Sequence, residues 1–243
     1  MLIPGELVLW IDAHILVINK PSHLLTLPDG YDPALPHLKA ILEPEFGPLW
    51  IVHRLDRETS GVLVLARTAQ SHQALNTQFE HRQASKIYHA IVCGCPDWQE
   101  SQVKQPLLVN GDRRHRTRVN PQRGKAAQTD LLVLERFKGY CLIQAIPQTG
   151  RTHQIRAHLA SIDLPLLGDP LYGGSAGLYL SQMEPGSHGD QENEPPLLNR
   201  VALHAWSLTF EHPDTKEKLT IEAPYPKDFQ KALQMMRRYV RFM

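Results

Sequence analysis

Two apolar runs, Leu49-Trp50-Ile51-Val52 and Val62-Leu63-Val64-Leu65-Ala66, bracket the charged string His53-Arg54-Leu55-Asp56-Arg57-Glu58-Thr59-Ser60-Gly61. Runs of that length and apolarity belong inside a sheet, so the string between them reads as a turn projecting from a buried sheet. It sets a carboxylate, Asp56, between two arginines, and nearby cations favour the ionised form of a carboxylate. An ionised Asp on a rigid scaffold is a candidate nucleophile. An isolated Asp-Arg pair in a loop is ordinarily a surface ion pair of little consequence. The complete string therefore matters more than the pair.

Composition narrows the class. A chain of 243 residues with a hydrophobic fraction of 42% can bury a real core in one large domain or two small ones. No apolar run approaches the roughly 18 residues of a membrane span. The start, Met1-Leu2-Ile3-Pro4-Gly5-Glu6, lacks the basic residues and apolar core of a signal peptide. A cytoplasmic protein that spans no membrane is expected, with monomer as the default state. Cys93, Cys95 and Cys141 are an odd set, and Cys93-Gly94-Cys95 is too tight for an ordinary zinc pair. The 13 histidines form no His-Glu-x-x-His arrangement, and His153 and His158 fall on different faces of a helix. No metal is expected.

The net charge of +1 hides a segregation. Ser181 to Asn199 carries Glu184, Asp190, Glu192 and Glu194 and no basic residue, so the rest of the chain is distinctly basic. Arg113, Arg114, Arg116, Arg118, Arg123 and Lys125 crowd one polar stretch. Such a cluster attracts phosphate whatever the total charge, although a solvated loop without a partner has the same look.

The hydrophobic rhythm predicts strands at Glu6 to Trp10, Ile15 to Asn19, Val62 to Ala66 and Lys86 to Val92. Hairpins are expected at Leu131 to Glu135 with Cys141 to Ile146, and at Leu203 to Glu211 with Lys218 to Glu222. Helices are expected at Leu35 to Phe46, Gln70 to His81, Thr152 to Ser161 and Asp228 to Val240. In the second of these, Ala74, Leu75, Gln78 and Phe79 are the inward candidates. Strands outnumber helices and several pair as hairpins, so the class is α+β with a mainly antiparallel sheet and flanking helices. One catalytic domain over residues 1–243 is expected, with Pro96 to Pro106 as an internal connector. The Gly-, Ser-, Glu- and Pro-rich segment 174–198 reads as a flexible insertion.

The turn string, taken whole, resembles the signature of the RluA-type pseudouridine synthases. Val17-Ile18-Asn19-Lys20-Pro21-Ser22 resembles the family's N-terminal segment, and Lys86-Ile87-Tyr88-His89-Ala90-Ile91-Val92 its tyrosine motif. Thr149-Gly150-Arg151-Thr152-His153-Gln154-Ile155-Arg156-Ala157-His158-Leu159 resembles its arginine motif. Gly168-Asp169-Pro170-Leu171-Tyr172-Gly173, Leu203-His204-Ala205 and His212-Pro213 follow in the family's order. Only a short stretch precedes the first motif, so the S4-type RNA-binding domain of many relatives is not expected.

The resemblance implies isomerisation of uridine to pseudouridine within tRNA or rRNA, without cofactor. It carries three catalytic roles onto this chain. Asp56 matches the essential aspartate, Tyr88 the tyrosine that stacks on the base and assists proton loss from C5, and Arg156 the arginine that pairs with the aspartate. Arg54 matches the residue that fills the space left by the flipped uridine. His53 either orders the turn or touches RNA, and Thr59, Ser60 and Gly61 shape the entry into the next strand. Arg151 suits a phosphate contact, as do Arg113, Arg114 and Arg116.

Two departures stand out. The family usually has glycine after Lys-Pro-Ser, where this chain has His23, and Ser175 to Pro196 is longer and more acidic than the pattern. Two other functions compete. A non-catalytic RNA-binding or RNA-chaperone module on the same fold would not need the set Asp56, Tyr88 and Arg156. A nucleoside hydrolase would need a second acidic residue as proton donor, and none occupies a matching motif.

Overall fold

The computed structural model describes residues 3–30, 32, 34–183 and 194–240. In chain order the elements are β1 (Val8–Ile11), β2 (Ile15–Lys20), α1 (Leu38–Phe46), β3 (Trp50–Ile51), β4 (Ser60–Ala66), α2 (Ala69–Glu80), β5 (Ser85–Cys93), β6 (Glu100–Val103), β7 (Leu107–Leu108) and β8 (Arg118–Val119). There follow β9 (Thr129–Phe137), β10 (Tyr140–Pro147), α3 (Gln154–Ala160), β11 (Leu203–Glu211), β12 (Lys218–Glu222) and α4 (Lys227–Tyr239). The class is α+β with mainly antiparallel pairing, as expected. Among the described residues no helix is long and apolar enough to cross a membrane.

The chain divides into two compact units, the first holding residues up to Ile87 together with His204–Pro224, the second holding Tyr88–Leu203 and the segment from Tyr225 on. The chain crosses between them three times: within β5 at Ile87–Tyr88, at the start of β11 at Leu203–His204, and after β12 at Pro224–Tyr225. No Gly- or Ser-rich linker marks the two crossings inside strands, so the sequence carries no signal of them.

In the first unit the strand order is β1-β2-β4-β11, with β12 beyond β11 and β3 also on β4. Every residue of β4 is buried, and Ile15, Leu16, Val17 and Ile18 of β2 are fully so, matching the apolar runs that predicted them. The neighbour β11 joins β4 in parallel, with His204 opposite Ser60 and Ala205 opposite Gly61. Helix α2 starts where the Thr68 side chain accepts the Ser71 N–H at 3.1 Å. It is tied to β11 through Gln78, whose amide both donates to and accepts from the Glu211 main chain at 2.8 Å. Helix α1 begins three residues later than expected, because extended His37 is its N-cap and accepts the Ala40 N–H at 3.3 Å.

The second unit is built on the order β5-β10-β9-β6. Strand alternation sends Ala90, Val92, Ile143 and Ala145 to one face, where Ile155 and Leu159 of α3 meet them. Ile91 and Leu142 point the other way, against Phe229, Leu233 and Met236 of α4. The β9–β10 hairpin turns at Lys138-Gly139 as expected, with Tyr140 opposite Phe137. Strand β6 lies in the segment read as a connector and pairs with β9 from Glu100 opposite Leu132 to Val103 opposite Thr129. Of the expected insertion at 174–198, residues 184–193 lie outside the described residues. On either side of them Leu178 bridges Leu198, and Leu178, Met183, Leu197 and Leu198 are buried in the α4-side core.

Candidate active site

In the first unit the string around Asp56 connects β3 to β4, which are adjacent antiparallel strands with Ile51 opposite Leu65. A connection that leaves a ladder strands its backbone carbonyls, and buried ones need donors. Residues 20–26 supply them. Lys20 is fully buried, and its ammonium donates to the carbonyls of Pro21 at 2.9 Å, Leu24 at 2.7 Å and Arg57 at 3.3 Å. Ser22 Oγ donates to the Glu58 carbonyl at 2.5 Å, and Thr26 Oγ1 donates to the Leu55 carbonyl at 3.1 Å. The carbonyls on both sides of Asp56 are thus pinned, and Thr59 N–H closes the turn on the Asp56 carbonyl at 3.1 Å. Asp56 itself is half-buried, between buried Leu55 and exposed Arg57.

His23, the departure from the family's glycine, has φ 64. That left-handed conformation favours glycine and costs an ordinary residue about 1 kcal/mol. The loop thus takes a conformation suited to glycine with a side chain in place.

Behind the turn, Ser60 Oγ and His204 Nδ1 lie 3.0 Å apart, and His204 Nε2 lies 3.0 Å from the Ala223 carbonyl. A carbonyl only accepts, so Nε2 carries the proton and Nδ1 accepts from Ser60. Gly61 has φ 118, and a Cβ there would fall 2.2 Å from the Ala205 carbonyl oxygen. Ser60 and Gly61 thus lock the outgoing strand onto β11, the shaping role expected of them.

His53 and Arg54 part company. His53 stacks on Phe79, with centroids 4.5 Å apart and 17° between planes, and its Nε2 accepts the Val64 N–H at 3.2 Å. Burial, reinforced by the nearby Lys86 charge, holds its pKa down at about 3. A neutral, engaged imidazole orders the turn, the first of the two roles considered for it. Arg54, the next residue, is exposed.

The second unit carries Tyr88, Arg156 and Arg151. Tyr88 sits on β5 opposite Ala145 and is half-buried against the core that includes Ile155 and Leu159. Helix α3 starts two residues later than expected, because His153 is left-handed at φ 53. Gln154 fixes that start. Its Oε1 accepts from Thr149 Oγ1 at 2.6 Å and from the Arg151 N–H at 3.1 Å, while its Nε2 donates to the Gln128 carbonyl at 2.8 Å.

Arg156 follows on the helix and is held side-on by Asp169: Nε to Oδ2 is 2.7 Å and Nη2 to Oδ1 is 2.8 Å. Both residues are buried. The guanidinium carbon also lies 5.0 Å from the Tyr172 ring centroid, a cation–π arrangement. The Tyr172 hydroxyl in turn accepts the Thr117 N–H at 2.9 Å. Asp169 and Tyr172 are thus the neighbours of Arg156, and their motif in the sequence carries no stated role. The signal was there in a short motif holding an acid and an aromatic, but nothing in it named Arg156 as the partner.

The basic stretch also divides. Arg113 and Arg114 are exposed between β7 and β8. Arg116 instead grips Asp112, Nε to Oδ2 at 2.7 Å, and donates from Nη1 to the Leu171 carbonyl at 3.2 Å. Arg151 leans onto the far side of the same stretch, its Nε and Nη2 each 3.4 Å from the Ala126 carbonyl.

Comparison with known proteins bears on the family. The pattern of a family described as RNA pseudouridylate synthase matches residues 14–161, which include Asp56, Tyr88 and Arg156. The chain is 38% identical to the ribosomal large subunit pseudouridine synthase C of Vibrio vulnificus, over 96% of this chain and 70% of that protein. It is 37% identical to the ribosomal large subunit pseudouridine synthase D of Pseudomonas aeruginosa, over 93% of this chain and 70% of that one. The solved structure of human RNA pseudouridylate synthase domain containing 4 matches with a TM-score of 0.76 at 25% identity, covering 98% of this chain and 96% of the human one.

Proposed function

Because this chain belongs to the RNA pseudouridylate synthase family, and is an isomerase acting on RNA, we propose that its substrate is ribosomal RNA and that Asp56 is the carboxylate that works on the uridine sugar. The ribosomal assignment follows the names of its relatives. The observation that carries the catalytic assignment is the clamp of Lys20, Ser22 and Thr26, which fixes the main chain on both sides of Asp56. A carboxylate held this way pays little reorganisation when the reaction begins.

The chemistry breaks the N1–C1′ bond, turns the uracil and joins C5 to C1′, with loss of the C5 proton and gain of one at N1. Ionised Asp56 either attacks C1′ or removes the 2′ proton. Tyr88 stacks on the turned base and assists the proton loss at C5, and Arg156 keeps the aspartate charged and aimed. The target atoms are inaccessible in a stacked helix, so the uridine is flipped out. Arg54, exposed at the turn, fills the space left behind. A guanidinium suits that task because it stacks on bases while bonding phosphate. A single copy of the chain acts on each site.

Tritium release from RNA labelled at uridine C5 tests this reading. Release is expected from ribosomal RNA; release from transfer RNA alone would move the substrate class, and free uracil as product would mean a hydrolase. RNA bound without any release would leave a binding module.

The divided basic stretch gives a second test. Arg113→Gln with Arg114→Gln should reduce the slope of log affinity against log salt by up to about two, since each phosphate contact contributes roughly 0.9. Arg116→Gln should instead lower the melting temperature and leave the slope nearly unchanged, because its donors are already engaged by Asp112 and Leu171. Equal slopes in all these proteins would deny the loop an RNA role.

A further inference from the structure

Cations withdrawn from solvent need acceptors, since desolvating a charge is costly unless it is paired. Among the described residues the rule is followed closely. Lys20 has three carbonyls, Arg156 has Asp169, and Arg200 has Asp228 at 2.6 and 2.9 Å. The half-buried Lys39, Arg67, Arg116, Arg136 and Arg151 each reach a carboxylate, an amide oxygen or a carbonyl.

Lys86 is the exception. It is half-buried on β5, and its ammonium lies 5.9 Å from the centroid of the Phe79 ring. Among the described residues it meets no hydrogen-bond acceptor and no carboxylate. Its charge acts on His53, a neutral ring that stacks on the same Phe79 and whose Nε2 is already taken by the Val64 N–H. A ring face is a weak counter-charge, worth about 0.5–2 kcal/mol, and burial pushes the lysine's pKa below its ordinary value. The protein thus holds a partly desolvated positive charge beside the residue that precedes Arg54, and leaves the matching negative charge to come from outside.

We infer that Lys86 is an anion site of the RNA-binding surface, taking one backbone phosphate of the substrate against the wall formed by Phe79 and His53. The inference rests on the reading that this chain modifies RNA, and it adds a contact to which no role has been assigned. A phosphodiester fits because it brings a full negative charge on a thin strand, so that one oxygen can reach an ammonium set back from the surface. A structural lysine would behave in the opposite way: removing it would cost packing and stability. Removing an unmatched charge should cost neither.

The test compares wild type, Lys86→Met and Lys86→Arg for affinity to the RNA that wild type modifies, at several salt concentrations, together with tritium release and melting temperature. Lys86→Met should bind about tenfold more weakly at low salt, with the log–log salt slope reduced by about one. Its melting temperature should be unchanged or higher, and Lys86→Arg should restore most of the slope. An unchanged slope in Lys86→Met alongside active wild type would overturn the inference alone. So would a fall in melting temperature that Lys86→Arg repairs while binding stays constant. Wild type that neither binds nor releases tritium from any RNA pool would remove the RNA reading and this inference with it.

Discussion

Asp56→Asn should leave RNA affinity within about twofold of wild type and remove turnover. The loss expected is at least about 10³-fold, since the carboxylate serves either as nucleophile or as base and the amide can do neither. The two effects separate because of how the turn is built. Its clamp grips main-chain carbonyls, those of Leu55, Arg57 and Glu58, and an isosteric change at the Asp56 side chain leaves each of these bonds in place. Behind it, the Ser60–His204 contact and the close approach of Gly61 to Ala205 are equally independent of that side chain. Single-turnover tritium release with enzyme in excess, read beside a direct binding curve, measures both quantities. Residual isomerisation well above background would mean that another group does the work assigned to Asp56. A matching collapse of affinity would mean that the charge binds RNA-associated cations or shapes the turn, and the assignment of chemistry would lose its basis.

The string around Asp56 was legible because everything that makes it a turn is local. Apolar runs on both sides demand a sheet, and charged residues between them cannot enter it. The same locality made β4, the β9–β10 hairpin and α4 readable, each through an unbroken period or a turn residue. What stayed hidden is what depends on distant partners. Strand β6 has one buried residue in four, Val103, so it has no alternation to read, and it is a strand only because β9 offers an edge. Helix α3 starts late because His153 takes a left-handed conformation, which no propensity would assign to it. In the first unit the Lys20 clamp joins residues 37 apart, and in the second Asp169 lies on the loop that follows the helix carrying Arg156. Arg116 looked like its neighbours Arg113 and Arg114 until Asp112 was seen in its fork. Sequence motifs thus propose which residues act, while the structure shows which of them hold each other.

Arg156 illustrates the difference, and it permits a sharper experiment than a single substitution. The resemblance gives it a catalytic task toward Asp56, whereas the second unit shows it in a buried side-on pair with Asp169. Removing one partner of such a pair leaves an uncompensated buried charge and typically costs about 3–5 kcal/mol. In a chain of this size that lowers the melting temperature by on the order of 10 °C. Arg156→Met and Asp169→Leu should each show this loss, and on stability alone neither reveals a role in the reaction. The double variant separates the two tasks, because replacing both partners of a buried pair with apolar residues is often close to neutral. It should regain most of the lost melting temperature. If Arg156 also serves the reaction, turnover in the double variant stays as low as in Arg156→Met, although the fold has recovered. If tritium release returns with the melting temperature, Arg156 is a structural partner of Asp169 and nothing more, and the charge that supports Asp56 must come from another arginine, with Arg151 the first to substitute.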